Sequence, residues 1–134
     1  MIFGAMEYLT QGIEAVPGLS DFVKDKTGSP LFVTSNARAA TAPCALISAS
    51  SCKYAVNMGR GTAEFLVAFV LPLFDDDARG TALEFADLVG TQLYFSAGRG
   101  AHGHRITSVT MVGMEEDPER QGLWIVTFSV AIDR

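Results

Sequence analysis

Apolar and polar positions along this chain follow two periods, one of two residues and one near 3.6, and the stretch from Phe65 to Phe74 (FLVAFVLPLF) dominates the first. Read as a strand, it puts Phe65, Val67, Phe69 and Leu71 on one face and Leu66, Ala68 and Val70 on the other. A run apolar on both parities predicts a strand covered on both sides. A buried helix is the rival reading, but aromatic and β-branched content, Gly59 and Gly61 before the run and Pro72 within it favour a strand. Pro72 has no N–H to donate, so pairing should thin out there. This is the expected central strand of a sheet with helices on at least one face.

Helical spacing opens the chain. In residues 3–16, Met6, Leu9, Ile13 and Val16 recur at intervals of three and four and share one face. Gly12 weakens that helix by about 1 kcal/mol against alanine, so tertiary packing has to hold it, and Pro17-Gly18 ends it. Leu19 to Lys26 reads either as a short helix capped by Ser20 or as a polar edge strand from Asp21. Gly28-Ser29-Pro30 is a turn, Leu31–Thr34 a short extended run, and residues 35–42 (SNARAATA) a surface loop.

Pro43 opens a strand over Cys44–Ser50, with Ala45 and Ile47 on one parity and Leu46 on the other. Lys53 to Thr62 reads as a glycine-bearing hairpin tip leading into the apolar run. After Asp75-Asp76-Asp77, Thr81-Ala-Leu-Glu84 has the form of a capping box, and Ala82, Phe85, Ala86, Val89 and Leu93 make the apolar face of the helix it opens. Arg105–Gly113 and Leu123–Ile132 are strands. In the second, Trp124, Val126, Phe128, Val130 and Ile132 share one face, opposite Thr127 and Ser129, and an acidic connection (MEEDPERQG) precedes it. The pattern predicts an α+β fold: a single domain over 1–134, with a mixed, mostly antiparallel sheet of at least four strands and an N-terminal and a second helix packed on it.

Composition narrows the function. Ten basic against fifteen acidic residues give a net charge of −5, and the basic residues are scattered singly, which speaks against a duplex-DNA reader. The opening MIFGAMEY has neither a positive leader nor a small-residue cleavage site, so no signal peptide is expected. The run at 65–74 is half the length of a membrane span. Cys44 and Cys52 are expected to be free thiols.

Candidate chemistry is sparse. Gly98, Gly100 and Gly103 spell G-x-G-x-x-G, but a dinucleotide motif leaves a strand and opens a helix, whereas here a helix precedes and a strand follows. His102 and His104 have H-x-H spacing without a nearby Cys, Asp or Glu to complete a metal shell, which leaves a solvated loop. Asp75-Asp76-Asp77 suits a cation, yet acids just before a helix also cap its amides and complement its dipole. No nucleophile elbow, phosphate loop or Cys–His pair is present. An enzyme is not expected, nor any metal or cofactor.

The whole chain, Met1 to Arg134, resembles the tail-terminator (tail-completion) proteins of long-tailed bacteriophages. The resemblance rests on the amphipathic N-terminal helix, the strand PCALISAS, the apolar strand ending in FVLP, the acid-capped helix, and the turn EEDPERQGLW leading into IVTFSVAI. The segment Asp21–Ala42 is longer than the family pattern, and the loop at 98–104 has no counterpart in it. The resemblance implies a non-enzymatic virion protein of the tail, assembled in the host cytoplasm, that forms a homo-hexameric ring capping the tail tube. Its implied partners are further copies of itself, the tube protein and the head–tail connector; DNA would pass through the lumen without specific binding, and no membrane is involved. A head–tail joining or other tail-completion protein is the nearest alternative, and a small ligand-binding or enzymatic domain using Gly98–His104 is a third. Ring contacts between identical chains are heterologous. The expected subunit or tube interface residues are Lys53, Asn57, Arg60, Arg38, Arg99, Glu115, Glu116, Asp117 and Glu119, with the acidic turn set against isolated arginines such as Arg38, Arg60 and Arg99, and crowded carboxylates making assembly sensitive to salt or divalent cations.

Overall fold

The computed structural model describes residues 1–55 and 59–134. In chain order the elements are α1 (Ile2–Glu14), α2 (Leu19–Thr27), β1 (Phe32–Thr34), β2 (Cys44–Tyr54), β3 (Gly61–Pro72), α3 (Ala78–Ala97), β4 (Arg105–Glu116) and β5 (Leu123–Asp133). Among the described residues the strands form one five-stranded sheet in the order β1-β2-β3-β5-β4. β1 pairs parallel to β2 and every other pairing is antiparallel, so the class is α+β with the N-terminal helix expected from the spacing. β3 is the central strand.

The core lies between one face of the sheet and the helices. Phe65, Val67, Phe69 and Leu71 of β3 and Val126, Phe128, Val130 and Ile132 of β5 are buried against Leu9 and Ile13 of α1, Leu19 and Val23 of α2, and the Ala82-Phe85-Val89-Leu93 face of α3. The Phe69 ring meets Phe85 edge-on at 4.9 Å and Phe128 at 6.0 Å between centroids, the aromatic geometry that π-systems prefer.

Coverage on both sides of β3 is not what the structure has. Glu64 and Leu66 are exposed, and Ala68 and Val70 only half-buried. The reason is topological. Hairpins join β2 to β3 and β4 to β5, α3 is the one helical crossover, from β3 to β4, and α1, α2 and α3 all stand on the same face. The register gathers the other face row by row: Cys44, Val70 and Ile125; Leu46, Ala68 and Thr127; Ser48, Leu66 and Ser129; then Lys53, Thr62, Asp133 and Arg105.

Other departures have local causes. β2 runs on to Tyr54 because its serines sit on the open face or in a bulge between Ala49 and Ser51, where the Ser50 hydroxyl donates to the Glu64 carbonyl at 3.2 Å. The expected tip at 53–62 therefore shrinks, with Lys53 and Thr62 paired in the ladder. β4 reaches Glu116 and carries two register shifts, between Ile106 and Ser108 and between Met111 and Gly113. Leu19–Lys26 is helical, fixed by buried Leu19 and Val23, and Ser20 makes no capping bond. α3 starts earlier than the Thr81–Glu84 box: the Asp77 carboxylate accepts from Gly80 N–H at 3.1 Å, while the Thr81 hydroxyl donates to Asp75 at 2.7 Å. The acidic run thus caps the helix. Cys44 and Cys52 are both free and sit at opposite ends of β2, Cys44 on the open face and Cys52 on the core face. Eight residues at ~3.4 Å each put them far beyond bridging distance.

Candidate functional site

At one end of the sheet, four arginines converge. Arg60, Arg99, Arg105 and Arg134 line an open depression of about 620 Å³ together with Thr62 and Asp133. Backbone pairing builds it. Arg105 opens β4 opposite Asp133, Arg99 bridges to Arg105 across the loop, and Arg134 exchanges two backbone hydrogen bonds with Gly61, at 3.0 and 3.3 Å. The loop at 98–104 is held by Gly100 N–H donating to the His104 carbonyl at 2.7 Å, by the Arg134 Nε–H donating to the His102 carbonyl at 2.8 Å, and by the Tyr8 hydroxyl donating to the Gly98 carbonyl.

Among the described residues no carboxylate lies within ion-pair distance of these guanidinium groups, although Asp133 lines the same depression opposite Arg105. Asp133 accepts from the Thr62 hydroxyl at 2.7 Å, and the one ion pair among the described residues is Arg120–Asp117, at 3.9 Å and elsewhere. Four positive charges against the one carboxylate of Asp133 leave the depression net positive, which favours the arrival of an anion.

The opposite end of the sheet is acidic. Glu115 and Glu116 finish β4, and Asp117 and Glu119 lie in the turn to β5. Glu116 accepts from Gly122 N–H at 3.0 Å, and Asp117 accepts from Glu119 N–H at 2.9 Å, so the turn is pre-shaped. Glu115 and Glu119 accept no bond from a described residue and are exposed. Phe74 and Asp75 border the same cavity as Glu116 and Gln121, which puts the start of the Asp75-Asp76-Asp77 run at this end too. Glu115 and Arg105 share the open face, opposite Ile125 and Asp133 of β5. The eight residues between those partners separate the two charges by roughly 27 Å.

The expected interface residues are thus partly gathered. Arg60 and Arg99 come together, Lys53 stands in the same row as Thr62, Asp133 and Arg105 at the edge of that depression, and the four acids share one tip. Arg38 stands apart: it lies in the loop after β1, at the far edge of the sheet, where its N–H donates to Asn36 Oδ1 at 3.1 Å. Asn57 lies outside the described residues. Arg105 and Arg134 were missed by reading charges singly. Folding the last two strands symmetrically about the acidic turn would have set Arg105 against Asp133 and Arg134.

The histidines separate. His102 is exposed, but His104 is 3% exposed and stacked on Tyr8 with centroids 5.9 Å apart, so the expected solvated loop holds for only one of them. Its Nε2 has no hydrogen-bond partner, and it lies so close to α1 that a Cβ at Gly4 would come within 3.0 Å of the ring. Burial, then the Arg134 charge, pushes the His104 pKa below 6.5. The G-x-G-x-x-G segment leaves α3 and enters β4, the reverse of the dinucleotide order. Among the described residues no three His, Cys, Asp or Glu side chains gather to hold a metal ion, and no helix is long and apolar enough to cross a membrane. No protein-family model and no curated protein matches the chain.

Proposed function

We propose that this protein is a structural subunit that closes into a ring and caps the tail tube of a long-tailed bacteriophage. The observation that carries this reading is the open face of the sheet. Phe32, Leu46, Leu66, Val70 and Ile125 lie on it in neighbouring rows, with Phe32 46% and Leu66 38% exposed. Contiguous exposed apolar surface is unusual on a chain that works alone and marks a surface meant to be covered. A second, smaller apolar spot lies on the helical layer, where the exposed Tyr94 and Phe95 rings of α3 meet edge-on with centroids 5.3 Å apart. Two unlike patches on one subunit suit heterologous contacts, which close into rings.

The resemblance of the chain to tail terminators supports the particular ring, six copies seated on a tube, with the tube protein and head connector as neighbours and DNA passing through the lumen. The test is assembly of the full chain with the tube protein of the same genome. Rings in negative stain, and tubes of limited length with density at one end, are expected. Leu66→Glu should abolish rings while leaving the circular dichroism of the protomer unchanged. A chain that stays monomeric at every concentration and does not alter tube length rules the reading out.

A further inference from the structure

Among the described residues Arg60, Arg99, Arg105 and Arg134 form no ion pair, Asp133 being the one carboxylate in the depression they line, and we infer that this depression receives the acidic β4–β5 turn of a second copy. This rests on the reading of the protein as a ring subunit and specifies the contact that orients one subunit against the next. Three observations favour that occupant. The four guanidinium groups have no carboxylate within ion-pair distance among the described residues. An open depression of about 620 Å³ is larger than a single ion needs and leaves room for several carboxylates at once. The chain also carries the complementary group, a projecting turn whose Glu115 and Glu119 have no internal partner, at the other end of the same sheet.

The placement constrains the geometry of association. With arginines at one end and carboxylates at the other, two copies related by a two-fold axis through either end would press like charges together. Head-to-tail contact puts opposite charges together at every junction, and such contacts continue into a ring or a filament. Polyanionic nucleic acid is the rival occupant. The acidic far end and the net charge of −5 disfavour it, since a phosphate backbone long enough to fill the depression also meets the repulsion of the whole subunit.

Complementary charge reversal tests this. One variant carries Arg60→Glu with Arg105→Glu, the other Glu115→Lys with Glu119→Lys. All four residues are exposed, so each variant should fold, as circular dichroism will check. Sedimentation velocity at low and high salt then follows assembly. Each variant alone should lose association by at least about tenfold, and the wild-type chain should weaken as salt rises. Mixed one to one, the variants should assemble again, because every junction in an alternating array is then complementary. Arg99→Gln, which removes charge without reversing it, should give an intermediate loss. Wild-type-like rings from both variants would overturn the inference and leave the ring reading standing. A mixture that fails to recover would overturn it too, as would retained assembly with loss of binding to a short DNA duplex. A wild-type chain that never associates would take both readings down.

Discussion

Replacing Phe69 by alanine is the sharpest perturbation of this fold, because Phe69 sits at the middle of the central strand with no exposed surface. Its partners across the ladder are Ala45 and Val126, and above it the ring contacts Phe85 and Phe128 edge-on. Emptying a buried phenylalanine site costs ~3–5 kcal/mol. Each edge-to-face pair adds ~0.5–1.5 kcal/mol beyond area burial, and two are lost, so the upper part of that range applies. A cost of ~4–5 kcal/mol is a large share of a typical stability of ~5–15 kcal/mol. It should lower the melting temperature by roughly 15 °C for a chain of this size. Leu66→Ala on the same strand is the control, because Leu66 faces the open side; about 1 kcal/mol is expected there. Urea titrations of both variants, followed by circular dichroism with unchanged m-values, measure the difference. Equal costs for the two, or less than ~1 kcal/mol for Phe69→Ala, would refute a core confined to one face of the sheet.

Two further outcomes follow from the titratable groups. The folded-state pKa of His104 is depressed, so its contribution to stability is complete above pH 6.5, the unfolded value, and is lost as pH falls through the folded one; His104→Phe should flatten the urea midpoint below pH 6.5, and an unchanged slope would argue against a buried neutral imidazole. Burial raises the Cys44 thiol pKa, so native protein should alkylate slowly at Cys44 and faster at half-buried Cys52, with both reacting at once in urea; rapid modification of Cys44 in the native state would count against its packing.

Periodicity made much of this fold legible. The three-four spacing of Leu9 and Ile13, the face from Ala82 to Leu93, and the alternation from Trp124 to Ile132 each correspond to an observed element. β3 shows where the pattern fails. Leu66, Ala68 and Val70 are as apolar as the buried set beside them, and an interface residue and a core residue have the same hydrophobicity, so sequence cannot say which face helices cover. In β2, Ser48, Ser50 and Ser51 read as an ending because a bulge shifts the alternation by one residue. The arginine cluster was hidden for a different reason. Its members come from the β2–β3 turn, the loop after α3, the start of β4 and the end of β5, and only the register of the sheet brings them together.

The two register shifts in β4 bear on how such a chain survives at high local concentration. β4 is the long outer strand of the sheet, and β1 at the other margin is three residues. A straight outer strand of twelve residues is a template on which a stray chain can add, the first step towards cross-β aggregation. Breaks after Ile106 and Met111 leave no long, evenly spaced row of free amides and carbonyls along that margin, and they twist it away from a flat docking geometry. Sheet growth is thereby discouraged at both margins, one by shortness and the other by irregularity, while the open face and the two charged ends of the sheet stay uncovered.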